Sequence, residues 1–238
     1  MAAIRVTDIL SAVLAESTDG NALPAALVRL CARVLEVGGA GLALMTDDGP
    51  AGTVAATDTT ARQLEELQFS LGEGPCVDAS RTGRPVLQPD LARTGPERWP
   101  AFAAGAEVAG LVAVFAFPLR VGAIRLGVLD LYRTTVGVLT DRELAGALSF
   151  ADAATTLLLH LQARAAGWDA PEDSLVVLDD RAEVHQATGV VSVQAAVRLH
   201  EALLLLRARA YAEQRPVGEL ARDVLSGVAD FHDELGRE

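Results

Sequence analysis

Residues 116–133 read AFPLRVGAIRLGVLDLYR. Two runs rich in branched and aromatic side chains flank a glycine, and the second, LGVLDLY, alternates in character after Gly127. Period-two patterning of this kind marks neighbouring strands of an antiparallel sheet. We read strands over 110–119 and 122–133, joined across 119–124. The period changes directly downstream, in LTDRELAGALSFADAAT (139–155). Thr140 followed three residues later by Glu143 is a capping box that opens a helix. Leu144, Leu148, Ala151, Leu158 and Leu161 fall on or near one face of that helix, which runs to about residue 165.

Working back toward the N-terminus, 4–16 reads as a short amphipathic helix. A second helix opens at Pro24, carries Leu23, Leu27, Leu30, Val34 and Leu35 as an apolar stripe, and ends at Gly38-Gly39. AGLALMT (40–46) reads as a buried strand, Asp47-Asp48-Gly49-Pro50 as a turn, and 52–56 as the returning strand. Helices are expected over 60–69, 75–81 and 96–106, with an extended stretch at 84–88. Helix, hairpin, helices, two strands and a long helix make an α+β domain with an antiparallel sheet. Glycine, proline and acids in 167–177 mark a linker. Beyond it three helices are expected, at about 179–193, 199–215 and 216–228. The domain boundaries are therefore 1–166, 167–177, 178–228 and an acidic tail at 229–238.

Composition narrows the function. The chain has 238 residues, half of them hydrophobic, and a net charge of −12. That excess argues against a general nucleic-acid coat protein, because phosphate neutralisation needs clustered cations, while leaving room for a local basic face. All twenty basic residues are arginine. The longest apolar run, 108–119, is too short to span a bilayer, and the N-terminus lacks the pattern of a secretory leader, so a cytoplasmic protein is expected. Two cysteines, Cys31 and Cys76, build neither a disulfide framework nor an all-thiolate zinc site. The four histidines show no metal-ligand spacing, so neither metal nor cofactor is expected.

LGEGPCVDASRTGRPVLQPDL (71–91), together with 116–133 and 139–155, closely resembles the GAF domain of actinobacterial GAF–ANTAR regulators. VHQATGVVSVQAAVRLHEALLLLRARAYAEQRPVGELARDVL (184–225) resembles an ANTAR domain, with landmarks at Gln186-Ala187-x-Gly189, Glu201-Ala202, Leu206-Arg207 and Leu220-Ala221. The resemblance implies a GAF-type sheet flanked by helices followed by a small three-helix domain. It also implies transcription antitermination: ANTAR domains bind paired hairpins in nascent RNA, commonly as dimers, under control of a sensory or dimerising GAF domain. An alternative is a dimeric sensory or protein-interaction module whose helical domain binds RNA weakly or not at all. Some GAF-fold proteins reduce methionine sulfoxide through cooperating thiols, but Cys31 falls on the apolar-patterned second helix, and no enzyme is expected.

Two sets of side chains are candidate sites. Cys76, Trp99, Phe102, Phe115 and Phe117 could line a small-molecule pocket in the first domain, or serve as core where sheet meets helices. Gln186, Thr188, Arg198, Arg207, Arg209 and Arg215 are the RNA-facing candidates, guanidinium groups for phosphates and polar groups for loop bases. Arg207 and Arg215, eight apart, are expected to share a helix face. Six arginines against five acids between 181 and 223 leave the module nearly neutral, and ion pairing on a solvated face is the competing reading. The mostly apolar run 202–206 and the stripe on the long helix suggest a homodimer, or packing within one chain.

Overall fold

The computed structural model describes residues 4–17, 19–46, 49–165 and 181–232. The expected linker, the turn residues Asp47 and Asp48, and the end of the acidic tail lie outside the described residues. The chain divides into two compact units, Met1–Phe69 with Glu73–Leu178 and Ser70–Gly72 with Asp179–Glu238.

In the first unit, α1 (Val6–Glu16) and α2 (Leu23–Leu35) precede strands β1 (Gly39–Thr46) and β2 (Gly49–Ala56). Helices α3 (Thr59–Leu71) and α4 (Pro75–Thr82) follow, then β3 (Val86–Gln88), α5 (Leu91–Arg98) and α6 (Pro100–Val108). Strands β4 (Ala113–Val121) and β5 (Ile124–Arg133) lead into α7 (Asp141–Ala165). The five strands form one antiparallel sheet in the order β2-β1-β5-β4-β3. The unit is α+β, as the alternation of periods requires.

Strand period two gives each sheet face its own helices. Leu42, Phe115, Phe117, Leu129 and Leu131 point to the side of α1, α2 and α7, where they pack with Ile9, Leu27 and Phe150 in one apolar core. Asp130 points to the opposite side, where Gln68 of α3 meets it. Of the expected α7 stripe, Ala151 and Leu158 are buried in this apolar layer with Ala147, Phe150, Ala154 and Leu157, Leu144 and Leu161 are half-buried against it, and Leu148 is exposed. By length and composition Asp141–Ala163 is also long and apolar enough to cross a bilayer, although it holds no long continuous apolar run. Its buried face carries part of that apolar character, while Leu148 and Leu159 are exposed.

Capping explains several boundaries. Thr140 and Glu143 form the expected box: the Thr140 N–H donates to Glu143 Oε2 at 2.7 Å, and the Glu143 N–H to Thr140 Oγ1 at 3.3 Å. The α2 helix ends earlier than expected, with Glu36 in the left-handed region at φ 50°. The helix expected over 96–106 is two helices. Trp99 adopts φ −141°, ψ 73°, because a residue preceding proline is pushed out of helical conformation, and Pro100 then starts α6. Pro96 is tolerated inside α5.

The second unit contains α8 (Ala182–Gln194), α9 (Leu199–Ala212) and α10 (Val217–Leu225). Left-handed residues Ala196 and Gln214, at φ 54° and 53°, stand in the turns between them. Val184, Ala187, Val191, Ala202, Leu206, Leu220, Ala221 and Val224 are buried. The expected tail is corrected at its start: Ala229 and Phe231 are buried, and the Phe231 N–H donates to Gln194 Oε1 at 3.1 Å. A large aromatic side chain gains more by closing a small core than by remaining solvated.

Candidate functional site

The distinctive chemistry of the first unit lies on the sheet face covered by α3 and α4. Asp130 sits at the centre of β5, paired with Gly41 of β1 and Ala116 of β4, and is fully buried. Its Oδ2 accepts a hydrogen bond from Gln68 Nε2 at 3.2 Å, and Gln68 Oε1 accepts the Cys76 N–H at 2.7 Å. Glu65, one turn before Gln68 on α3, is 2% exposed and lies against Gly41, the β1 partner of Asp130. A side chain on Gly41 would run into the Glu65 carboxyl, so the strand must be bare there.

Burial pushes the Asp130 carboxyl up to about 7, and the hydrogen bond from Gln68 only partly offsets this. Asp130 therefore holds its proton at pH values where ordinary carboxyls have lost theirs. Such a group can respond to a proton, or to a ligand that supplies a donor.

The loop LGEGPC supports this layer in three ways. Gly74 has φ 131°, and an added Cβ would lie 2.8 Å from Gln68 Oε1, so glycine is needed both for backbone and for room. Pro75 starts α4, which places the Cys76 N–H on Gln68. Glu73 accepts the Phe102 N–H at 2.8 Å and so caps the first turn of α6. Below it, Asp78 accepts from Arg98 Nε at 2.9 Å and from Trp99 Nε1 at 3.2 Å. The Arg98 guanidinium lies 4.5 Å from the centre of the Trp99 ring, and Trp99 meets Phe102 edge to face at 6.2 Å.

The expected five-residue pocket is therefore corrected. Phe115 and Phe117 belong to the apolar core with α2 and α7, because odd positions of β4 face that layer. Cys76, Trp99 and Phe102 are buried elements of the helical layer on the other face. The two cysteines are likewise divided by the sheet: Cys31 lies in the apolar core, where burial pushes its thiol upward, and Cys76 lies beside Gln68. That separation removes the geometry two cooperating thiols need. Among the described residues no three His, Cys, Asp or Glu side chains gather into a metal-holding group.

The structure also corrects the second set. Gln186 and Arg198 are exposed. Thr188 is buried and its hydroxyl donates to the Val184 carbonyl at 2.7 Å, so it faces its own helix. Arg207 is buried at 8% exposure, whereas Arg215 lies beyond the end of α9, after the left-handed Gln214; the two do not share an outward face. Arg198 pairs with Glu201 at 3.0 Å, and Arg209 with Glu213 at 2.8 Å. Arg209 also donates to the Asp230 carbonyl and stands 4.9 Å over the Phe231 ring. Arg215 reaches Asp223 at 2.8 Å, Glu213 at 3.5 Å and Glu219 at 3.9 Å. The apolar run 202–206 is mostly absorbed, with Ala202, Leu203 and Leu206 buried; Leu204 and Tyr211 remain exposed.

Sequence reasoning missed Glu65, Gln68 and Asp130. The available signal was a lone acid inside the apolar alternation LGVLDLY.

Comparison with known proteins bears on the first unit. The chain is similar to the GAF domain of a phosphoenolpyruvate-protein phosphotransferase from Coxiella burnetii, with 16% identity and a TM-score of 0.52 over 68% of this chain and 98% of that one. It is also similar to the GAF domain of an Acinetobacter phosphoenolpyruvate-protein phosphotransferase, with 11% identity and a TM-score of 0.51 over 68% and 95% of the two chains. At these identities the likeness concerns fold. The comparison with curated proteins gives no match. Residues 21–159, from the turn before α2 to the body of α7, match the GAF domain family. With the sheet order, the helical layer and more than half of the length in agreement, this chain belongs to the GAF domain family.

Proposed function

We propose that the protein is a signal-responsive regulator in which the GAF domain receives the signal and the helical unit delivers it to hairpin RNA in a nascent transcript. On this reading the unit acts as an ANTAR output domain, in the cytoplasm, with two copies of the chain engaging paired hairpins. The observation that carries it is the second unit itself: three helices in the expected order, with a core of their own, downstream of a GAF domain and with Gln186 exposed on α8. The proton-holding Asp130 under α3 supports the sensory half.

A second reading is favoured by the ion pairs. Arg198, Arg209 and Arg215 each face a carboxylate, so a phosphate must displace an internal partner before it gains a contact. An output unit built this way could serve a protein partner instead.

Salt-dependent gel shifts of the full chain with a dual-hairpin RNA distinguish the two. The antitermination reading expects binding at low salt, weakened as salt rises in proportion to the phosphates contacted. It further expects Glu213→Gln with Asp223→Asn to tighten binding by releasing Arg209 and Arg215. Absence of binding at low salt by both proteins would refute it and leave the second reading.

A further inference from the structure

At the end of the GAF sheet, away from Asp130, arginines gather around two adjoining clefts. The first, of about 290 Å3, lies between the end of α4 and the β4–β5 hairpin, and Arg81, Arg120 and Arg125 line it with the Ser80 and Thr82 hydroxyl-bearing residues. The second, of about 490 Å3, shares Thr82 and is lined by Arg84 and Arg98. Among the described residues no acidic residue lines either cleft, in a chain whose net charge is −12. Arg84 and Arg120 have no carboxylate within ion-pair reach among the described residues. Asp78 serves Arg98 closely and Arg81 only at 3.9 Å.

Arg120 is also positioned. Its guanidinium donates to the Gly83 carbonyl at 3.3 Å and lies directly against the Gly83 backbone, where an added Cβ would collide with it. Gly83 ends α4 in the left-handed region at φ 66°. One glycine therefore both turns the chain and gives the guanidinium its seat at the cleft.

Guanidinium groups bind phosphate oxygens through paired, parallel hydrogen bonds. The first cleft is at the small end of ordinary ligand sites, and its remaining lining, including Pro118, Leu119 and Ala123, is largely apolar. We propose that these clefts bind a phosphorylated small molecule of nucleotide size, with the phosphates on Arg120 and Arg81 and an extension toward Arg84. The proposal rests on the sensory reading of the GAF domain and is independent of RNA binding by the helical unit.

Titration calorimetry of the full chain with ADP and with inorganic pyrophosphate, against sulfate at matched ionic strength, tests it. Saturable binding of ADP or pyrophosphate beyond that of sulfate is expected. Arg84→Ala with Arg120→Ala should weaken it about tenfold or more. Gly83→Ala should weaken it in the same direction by unseating Arg120, while Arg142→Ala on α7 should leave it unchanged. Circular dichroism melting checks that each variant is folded. Heats equal to those of sulfate, or unchanged binding in a folded double variant, would overturn the proposal. Capture of hairpin RNA with neither ADP nor pyrophosphate, lost in the same variants, would also overturn it in favour of a polynucleotide backbone. Hairpin RNA binding that survives in the double variant while ADP binding is lost would separate the two halves of the function.

Discussion

Replacing Asp130 by Asn removes the buried ionisable group while preserving shape and an oxygen for the Gln68 amide. In the folded protein the Asp130 carboxyl is raised from an ordinary 3.8 to about 7 by burial. As pH rises through about 4 the unfolded chain releases this proton, whereas the folded chain keeps it until about 7. Folding stability contributed by the protonated form is thus complete below about pH 4 and is lost progressively up to about pH 7. Holding this carboxyl charged in the folded protein costs about 4 kcal/mol at and above neutrality. Asparagine carries no such cost. The stability of Asp130→Asn relative to the parent should therefore rise between pH 5 and 7 and level off at pH 8. Urea unfolding followed by tryptophan fluorescence at pH 5, 6, 7 and 8 measures it, since Trp99 is buried in the same unit. A difference that is flat across this range, or a variant less stable than the parent at pH 8, would refute a raised carboxyl at this position.

Gly74→Ala combines a disfavoured backbone angle with a collision at Gln68, so it should destabilise the GAF unit by about 1–3 kcal/mol, read as a lower urea midpoint. Thr140→Ala removes one half of the α7 capping box and should cost about 1 kcal/mol by the same measurement, with Thr140→Ser close to neutral. Phe231→Ala should cost about 3–5 kcal/mol and be seen as loss of helical circular dichroism from the second unit at lower temperature, an effect absent if residues after Leu225 were a mere tail.

Local signals carried much of the architecture. The strand pair 113–133 shows itself by alternation, and α7 by Thr140 and Glu143, because these depend on neighbours within a few residues. The break at Trp99 was also within reach, since Pro100 restricts the residue before it. What the sequence concealed was partnership between distant elements. Phe115 and Phe117 looked like pocket residues because alternation reveals that a strand has two faces without saying which helices cover each. Arg215 and Arg207 shared a face only if one helix continued, whereas Gln214 turns the chain and brings Glu213 and Asp223 onto Arg215. Asp130 was visible as an acid among leucines, but its hydrogen-bond partner Gln68 lies more than sixty residues earlier in the chain.

Strand β5 serves two masters at alternate positions: Leu129 and Leu131 belong to the oily layer that seats α7, and Asp130 between them belongs with Gln68. Evolution can therefore retune the acidity or ligand preference of one side by exchanging Asp130, Gln68 or Glu65 and leave the seat of α7 untouched. The reverse also holds, so that drift among the leucines alters how firmly α7 is held without rewriting what the other side perceives. A single ribbon of backbone keeps the two properties separately heritable and mechanically adjacent.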